Sequence, residues 1–181
     1  MIAFRTDTFY GLGVNPFDAG AVDRLRALKG RADDKPVLLL ISDLDQLERL
    51  IAQRTAEFNQ LVARFWPGPL TIIGKATTDL PEGITAGTGT VGIRLPADER
   101  VQELVKTCGG VLTATSANPA GREPARSAKE VRSYFPEGLD LIVDDGEVTT
   151  TEPSTVVDAI TSPPRVIREG MIPASLIAPR V

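Results

Sequence analysis

Three cations fall within seven residues at Lys29, Arg31 and Lys35, between the end of a helical pattern and an apolar run. Polyphosphate binding needs several cationic donors converging on one spot, with Arg gripping two oxygens at once and Lys acting as a point charge. The plainer alternative is a solvated helix end, where cations favour the C-terminal dipole and Asp33 and Asp34 neutralise the loop. Ser116-Ala117-Asn118 follows a strand pattern directly, and ligands of α/β sheets often sit beyond the carboxyl ends of strands; its alternative is an ordinary Ser/Asn turn. In Thr6-Asp7-Thr8-Phe9-Tyr10-Gly11-Leu12-Gly13, hydroxyls and one carboxylate cluster after a short apolar start, and the glycines let backbone approach a ligand. That segment is neither a Walker A loop nor a dinucleotide fingerprint, and its alternative is a turn with a satisfied Asp. Ser154-Thr155 opens a strand pattern with two hydroxyls, while Arg94 and Arg168 stand at strand ends, positions that suit either an anion or solvent.

The absence of one residue type narrows the chemistry. The chain has 181 residues, no histidine and a single cysteine, Cys108. Ser-His-Asp and Cys-His catalysis, His-ligated or multi-Cys zinc sites and an intramolecular disulfide are therefore excluded. Any reaction must use Lys, Arg, carboxylates, hydroxyls, amides, backbone groups or the substrates themselves. The net charge of −4 argues against a general nucleic-acid binder. With 42% hydrophobic and 24% charged residues the composition is globular, and the length predicts one domain with its own core. The longest apolar run, Pro36 to Ile41, is far shorter than a membrane helix needs. No secretory pattern opens the chain, which predicts a cytoplasmic protein.

The elements that must position these residues follow from periodicity and punctuation. Ile2-Ala3-Phe4 reads as the end of a strand running into a loop. Asp18 is placed to cap a helix carrying Val22, Leu25 and Leu28, with Gly30 at its C′ position. Val37 to Ile41 reads as a buried strand. Ser42 is placed to cap a second helix through Leu44, Leu47, Leu50 and Ile51, and a third carries Phe58, Leu61, Val62 and Phe65 until Trp66-Pro67-Gly68-Pro69 breaks it. Strands follow over Leu70–Gly74, Thr90–Leu95 and Val111–Thr115, with a turn-rich excursion between the first two and a helix through Val101, Leu104 and Val105 before the third. Ser127 and Glu130 form a capping-box pattern. Late strands are expected at Leu141–Val143, Thr155–Ile160 and Val166–Arg168, and residues 171–181 read as a loose tail. Alternating early elements and clustered late strands predict an α/β domain with a mixed sheet.

Six segments in order are similar to the YrdC-like family of L-threonylcarbamoyladenylate synthases. They are Thr6 to Gly13, Leu28-Lys29-Gly30-Arg31 with Lys35-Pro36, Phe65-Trp66-Pro67-Gly68-Pro69-Leu70-Thr71, Thr90 to Pro96, Thr113 to Asn118, and Ser154 to Asp158. The resemblance runs from Ile2 to about Gly170 and implies a single YrdC-like domain over 1–181. Its implied fold is a twisted mixed parallel/antiparallel sheet with flanking helices around a concave, locally positive cavity. The implied reaction joins L-threonine, bicarbonate and ATP into threonylcarbamoyl-AMP and pyrophosphate, with Mg²⁺ accompanying ATP and no protein metal ligands. A downstream transferase complex would then modify tRNA, with a tRNA contact as a further implied partner and no membrane.

By the same resemblance, Arg31, Lys35, Thr90, Ser116 and Arg168 would bind ATP, and Lys29, Arg31, Ser116 and Asn118 would carry the catalytic corner. Thr8, Arg94, Ala114 through its backbone, and Ser154 would hold L-threonine, with Thr6 and Tyr10 lining the pocket. Phosphoryl-type displacement is mostly positioning and charge neutralisation, which a histidine-free chain is able to supply. The sequence departs from the family at Arg5, where proline is usual, at Leu40, where some members place histidine, and at Arg168-Glu169-Gly170 in place of Arg-Pro-Gly. It also lacks the helix that family members usually carry before the first motif. Two competing readings are an RNA-binding module without catalysis and a related carbamoyl-adenylate-forming domain.

Overall fold

The structure is a computed structural model that describes residues 1–30, 36–150 and 152–177. The chain opens on a hairpin of β1 (Ile2–Arg5) and β2 (Tyr10–Gly13), with Arg5 opposite Tyr10. The second strand corrects the expected loop. Tyr10-Gly11-Leu12-Gly13 has no β-branched residue to announce a strand, yet all four residues are buried. Helix α1 (Ala19–Leu28) starts as expected, with the Asp18 carboxylate accepting from Ala21 N at 3.0 Å, and buries Val22 and Leu25. Gly30 follows it at φ 62°, the left-handed geometry that glycine adopts without a Cβ clash.

The expected second helix breaks into three pieces. After β3 (Leu39–Ile41) come a 3₁₀ turn (Leu44–Gln46), α2 (Leu47–Leu50) and β4 (Ile51–Gln53). Asp43, not Ser42, caps the turn. Ile51 leaves the helical pattern because it pairs with Ala76 at the end of β5 (Leu70–Ala76), reached through α3 (Ala56–Phe65). The excursion holds one short helix, α4 (Glu82–Thr85), before β6 (Thr90–Arg94) and α5 (Glu99–Thr107). The next strand pattern is two strands, β7 (Val111–Thr113) and β8 (Thr115–Ser116). Helix α6 (Ala128–Tyr134) has Ser127 accepting from Glu130 N at 3.2 Å, while the Glu130 carboxylate accepts from Arg126 N at 2.7 Å. The late strands are β9 (Leu141–Val143), β10 (Thr155–Asp158) and β11 (Arg165–Arg168).

These strands form two mixed sheets. One has the order β8-β2-β1-β9, and the other β11-β10-β5-β6-β3-β7 with β4 against β5. In the first, β1 runs parallel to β9 and antiparallel to β2; in the second, β10–β5 and β3–β6 are the parallel pairs. The sheets are joined at Ala114, where the chain leaves β7 in one and enters β8 in the other. Fully buried Thr113 secures this joint. Its hydroxyl accepts from Val14 N at 2.9 Å and reaches Leu12 O at 3.3 Å. The main apolar core spans both sheets, and a smaller cluster under α5 gathers Phe4, Leu40, Val101, Val105 and Leu112.

Residues 171–177, expected as a loose tail, are instead tied to the body. The buried Thr155 hydroxyl accepts from Gly170 N at 2.9 Å and Ile172 N at 3.0 Å and donates to Ile172 O at 2.7 Å. Ile172 and Ile177 are buried. A Cβ at Gly170 would stand 2.2 Å from Pro153 O, so this close approach requires glycine. Thr155→Val keeps the shape but strands three backbone groups, the buried N–H and C=O of Ile172 and the part-buried N–H of Gly170, each buried one costing about 1–3 kcal/mol. The variant is expected to lose about 3 kcal/mol and to melt roughly 6–12 °C lower. A thermal melt matching the parent would show that Thr155 does not carry this tether.

Candidate functional site

The walls of the site follow from strand alternation. Residues i and i+2 share one face of a strand, and one cavity of about 340 Å³ takes Thr71 and Ile73 from β5, Thr90, Gly92 and Arg94 from β6, and Ser154 and Val156 at β10. The register sets Arg168 beside Val156, Val156 beside Thr71, and Ile73 beside Gly92. A Cβ at Gly92 would lie 3.2 Å from Thr71 Cγ2, so glycine keeps this floor open. The other sheet supplies Tyr10, Gly11, Thr115 and Ser116, and the turn between β1 and β2 supplies Thr6 and Thr8. The volume lies in the range of small-molecule sites.

Nine of the residues named from sequence border this cavity: Thr6, Thr8, Tyr10, Thr90, Arg94, Ala114, Ser116, Ser154 and Arg168. Arg31 and Lys35 lie outside the described residues. Lys29 and Asn118 do not border it; they stand behind Ser116. The Lys29 ammonium donates to Ser116 O at 2.5 Å, Asn118 O at 2.8 Å and Asn118 Oδ1 at 3.1 Å. Asn118 Oδ1 also accepts from Ser116 Oγ at 2.6 Å, and Asn118 Nδ2 donates to Arg122 O at 2.5 Å. Lys29 is 4% exposed, so its three donors knit the Ser-Ala-Asn corner together.

The hydroxyl groups are held in pairs. Thr6 Oγ1 accepts from Thr8 N and Phe9 N, both at 3.2 Å, and donates to Phe9 O at 2.7 Å, which shapes the turn that presents Thr8. Ser154 Oγ lies 3.0 Å from Thr71 Oγ1, and Thr90 Oγ1 lies 2.8 Å from Thr88 Oγ1. The Ala114 N–H is occupied by Leu38 O at 2.9 Å, so that amide is not available to a ligand. Tyr10 contributes its ring, because its hydroxyl donates to Gly146 O at 2.8 Å. Burial raises the Tyr10 pKa above its ordinary value, and the phenol remains a donor at neutral pH.

Two guanidinium groups supply the charge. Arg168 Nη2 donates to Ser154 O at 2.8 Å, and burial lowers its pKa. Arg94 is only 2% exposed, and its Nη2 lies 3.0 Å from Asp7 Oδ1. This is a charge contact rather than an aligned hydrogen bond. Arg94 Nε and Nη1 are buried with no hydrogen-bond partner among the described residues. Burial pulls the Arg94 pKa down, Asp7 opposes the shift, and the nearby Arg168 cation adds to it. Unsatisfied buried donors cost free energy unless a ligand takes them, and a guanidinium is a charge-matched donor for a carboxylate. Sequence reasoning placed Asp7 and Thr71 within its motifs but gave neither a role in the site. Thr71 was detectable as the alternate-face neighbour of Ile73, but nothing local to Asp7 points to Arg94.

Residues 1–170 match the family model Sua5_yciO_yrdC, described as "Telomere recombination". The chain belongs to the Sua5/YciO/YrdC family. Its curated relatives include the threonylcarbamoyl-AMP synthase of Halorhodospira halophila, 39% identical over 143 residues that cover 79% of this chain and 75% of the relative. The threonylcarbamoyl-AMP synthase of Pyrococcus abyssi is 38% identical over 173 residues, 96% of this chain but 51% of that protein, so the chain spans about half the length of this relative. The crystal structure of P. abyssi Sua5 complexed with L-threonine superposes with a TM-score of 0.92 at 38% identity, over 97% of this chain and 52% of the other. Escherichia coli YciO superposes at 0.86 with 27% identity, over 98% and 86% of the two chains. The mixed sheets with flanking helices are thus those of the Sua5/YciO/YrdC fold.

Two departures from the family pattern have clear places in this Sua5/YciO/YrdC chain. Arg5 lies between two carboxylates, with Nη1 3.4 Å from both Asp98 and Asp145. Leu40 is fully buried in the smaller apolar cluster and does not border the cavity, whereas Leu38 does. Among the described residues, no helix is long and apolar enough to cross a membrane.

Proposed function

We propose that this chain is a threonylcarbamoyl-AMP synthase acting on L-threonine, bicarbonate and ATP. The observation that carries the reading is Arg94. It is a buried guanidinium whose Nε and Nη1 have no hydrogen-bond partner among the described residues, on a cavity shared with a second guanidinium and a set of fixed hydroxyls. The synthase relatives and the L-threonine complex of P. abyssi Sua5 support the same substrate.

In the proposed reaction the threonine amine joins bicarbonate with loss of water, giving N-carboxy-threonine. A carbamate oxygen then bonds to the α-phosphorus of ATP as the bond from that phosphorus to the β-phosphate bridging oxygen breaks, releasing pyrophosphate. Arg94 receives the threonine carboxylate, with Thr8 and Ser154 beside it. Arg168, Thr90 and Ser116 face the nucleotide, and Arg31 and Lys35 reach its phosphates. Lys29 and Asn118 orient Ser116. No protein nucleophile is required, because such displacements depend on positioning and charge neutralisation. Mg²⁺ would accompany the triphosphate as its counter-ion and offset its charge, with no side chain of this chain assigned to it. The product is a mixed anhydride suited to acyl transfer, and a downstream transferase acting on tRNA in the cytoplasm is its proposed consumer.

Pyrophosphate release by the purified chain with ATP, Mg²⁺ and bicarbonate tests the reading. Release is expected to depend on L-threonine and to yield the mass of threonylcarbamoyl-AMP. Adenylate formation from carbamoyl phosphate with indifference to threonine would favour the carbamoyl-adenylate alternative. RNA affinity with a steep salt slope and no adenylate would favour the binding module.

A further inference from the structure

Asp7 lies in the turn between β1 and β2, flanked by Thr6 and Thr8, which border the cavity while Asp7 does not. The turn is stiffened from within by the Thr6 hydroxyl, which takes the N–H groups of Thr8 and Phe9. Its carboxylate, with a side chain 18% exposed, meets one corner of Arg94. Nε and Nη1 of the same guanidinium are buried without a hydrogen-bond partner among the described residues. Burial and the like charge of Arg168 both lower the Arg94 pKa, and the Asp7 carboxylate opposes them. A planar guanidinium held at one corner has few remaining orientations, and each hydrogen bond it forms then costs less ordering.

We propose that Asp7 is a positioning residue that holds Arg94 by its Nη2 corner and thereby fixes the orientation of the guanidinium that receives the carboxylate of the amino-acid substrate. The proposal rests on the substrate reading given above and adds to it how the site distinguishes a carboxylate from a neutral group of the same size. Asp7 touches no substrate; it acts through Arg94 alone. Two consequences separate this from a merely structural role. Loss of Asp7 weakens binding of the carboxylate form selectively, and it has no further effect once Arg94 is gone.

Calorimetric titration of the full chain with L-threonine and with L-threoninamide, which replaces the carboxylate with a neutral amide, provides the test. The parent is expected to prefer L-threonine at least tenfold. In Asp7→Ala the preference should collapse to about threefold or less, with ATP affinity within about twofold of the parent. Asp7→Asn, which keeps the size and loses the charge, should fall in between and serves as the reading if Asp7→Ala does not fold. In an Arg94→Ala background, Asp7→Ala should leave threonine affinity unchanged, the signature of coupling through one partner. A parent with no preference for the carboxylate overturns the substrate reading and this role with it. A parental preference that survives in Asp7→Ala or Asp7→Asn, or an Asp7→Ala effect that persists without Arg94, overturns the role of Asp7 alone.

Discussion

Arg94→Met is expected to lower kcat/KM for L-threonine about a thousandfold while changing the KM for ATP less than about threefold. Arg94 Nε and Nη1 are buried and have no hydrogen-bond partner among the described residues. Charge-assisted hydrogen bonds are worth about 1.5–3 kcal/mol each when a ligand completes them. Two of them amount to roughly 3–6 kcal/mol, or between a hundredfold and ten-thousandfold. Stability should respond differently. Arg94 is a buried cation facing a second cation, and burial drives its pKa down. Removing it alone leaves Asp7 without its partner, which is destabilising. Removing both charges in Asp7→Asn/Arg94→Met should give a melting temperature at or above that of the parent, because apolar replacement of a buried ion pair is often neutral or stabilising. Steady-state kinetics and thermal melts of the two variants check both halves. Near-parental threonine kinetics in Arg94→Met would remove Arg94 from the substrate site.

The second large effect is expected at Lys29, although this residue does not reach the cavity. Lys29→Met should lower kcat about a hundredfold and stability by about 2 kcal/mol. The ammonium bonds two backbone carbonyls and the Asn118 side-chain oxygen, and the same oxygen fixes the Ser116 hydroxyl. Losing such charge-assisted bonds costs about 1.5–3 kcal/mol each where water does not replace them. In the proposed reaction Ser116 faces the nucleotide, where a displaced hydroxyl would cost far more in rate than in stability. Lys29→Arg should not rescue activity, since a planar fork does not reproduce three donors radiating from one nitrogen. Turnover of Lys29→Arg within threefold of the parent would show that charge, rather than this geometry, is what the site needs.

Local elements were readable where a few neighbouring residues decide the outcome. Asp18 with Val22 and Leu25 announced α1, and Ser127 with Glu130 announced α6, because caps and apolar stripes act within one or two turns. Elements decided by distant partners were not readable. Tyr10-Gly11-Leu12-Gly13 is a strand because β1 and β8 flank it. Ile51 left its helix for β5. Residues 170–172 are held because Thr155 reaches them from the start of β10. The site divides in the same way. Six motifs in order carried the family and most of the cavity's lining, but the part each residue plays was not visible in them. Lys29 was expected in one corner with Ser116 and Asn118, and the structure shows how: its ammonium donates to Ser116 O, Asn118 O and Asn118 Oδ1.

Residue types alone excluded histidine- and cysteine-based catalysis, since a chain without histidine and with one cysteine cannot assemble those sites. Order along the chain added the family and the helices whose caps and stripes are local. Which hydroxyl faces which, and which cation keeps free donors, depended on tertiary structure. Thr71 meets Ser154 across 83 residues of sequence and Lys29 meets Ser116 across 87. Such meetings follow from strand register, and a shift of one residue would turn every side chain of a strand to the opposite face. That Arg94 Nε and Nη1 lack a partner among the described residues is likewise a matter of burial, which exists only once the sheets have closed around them.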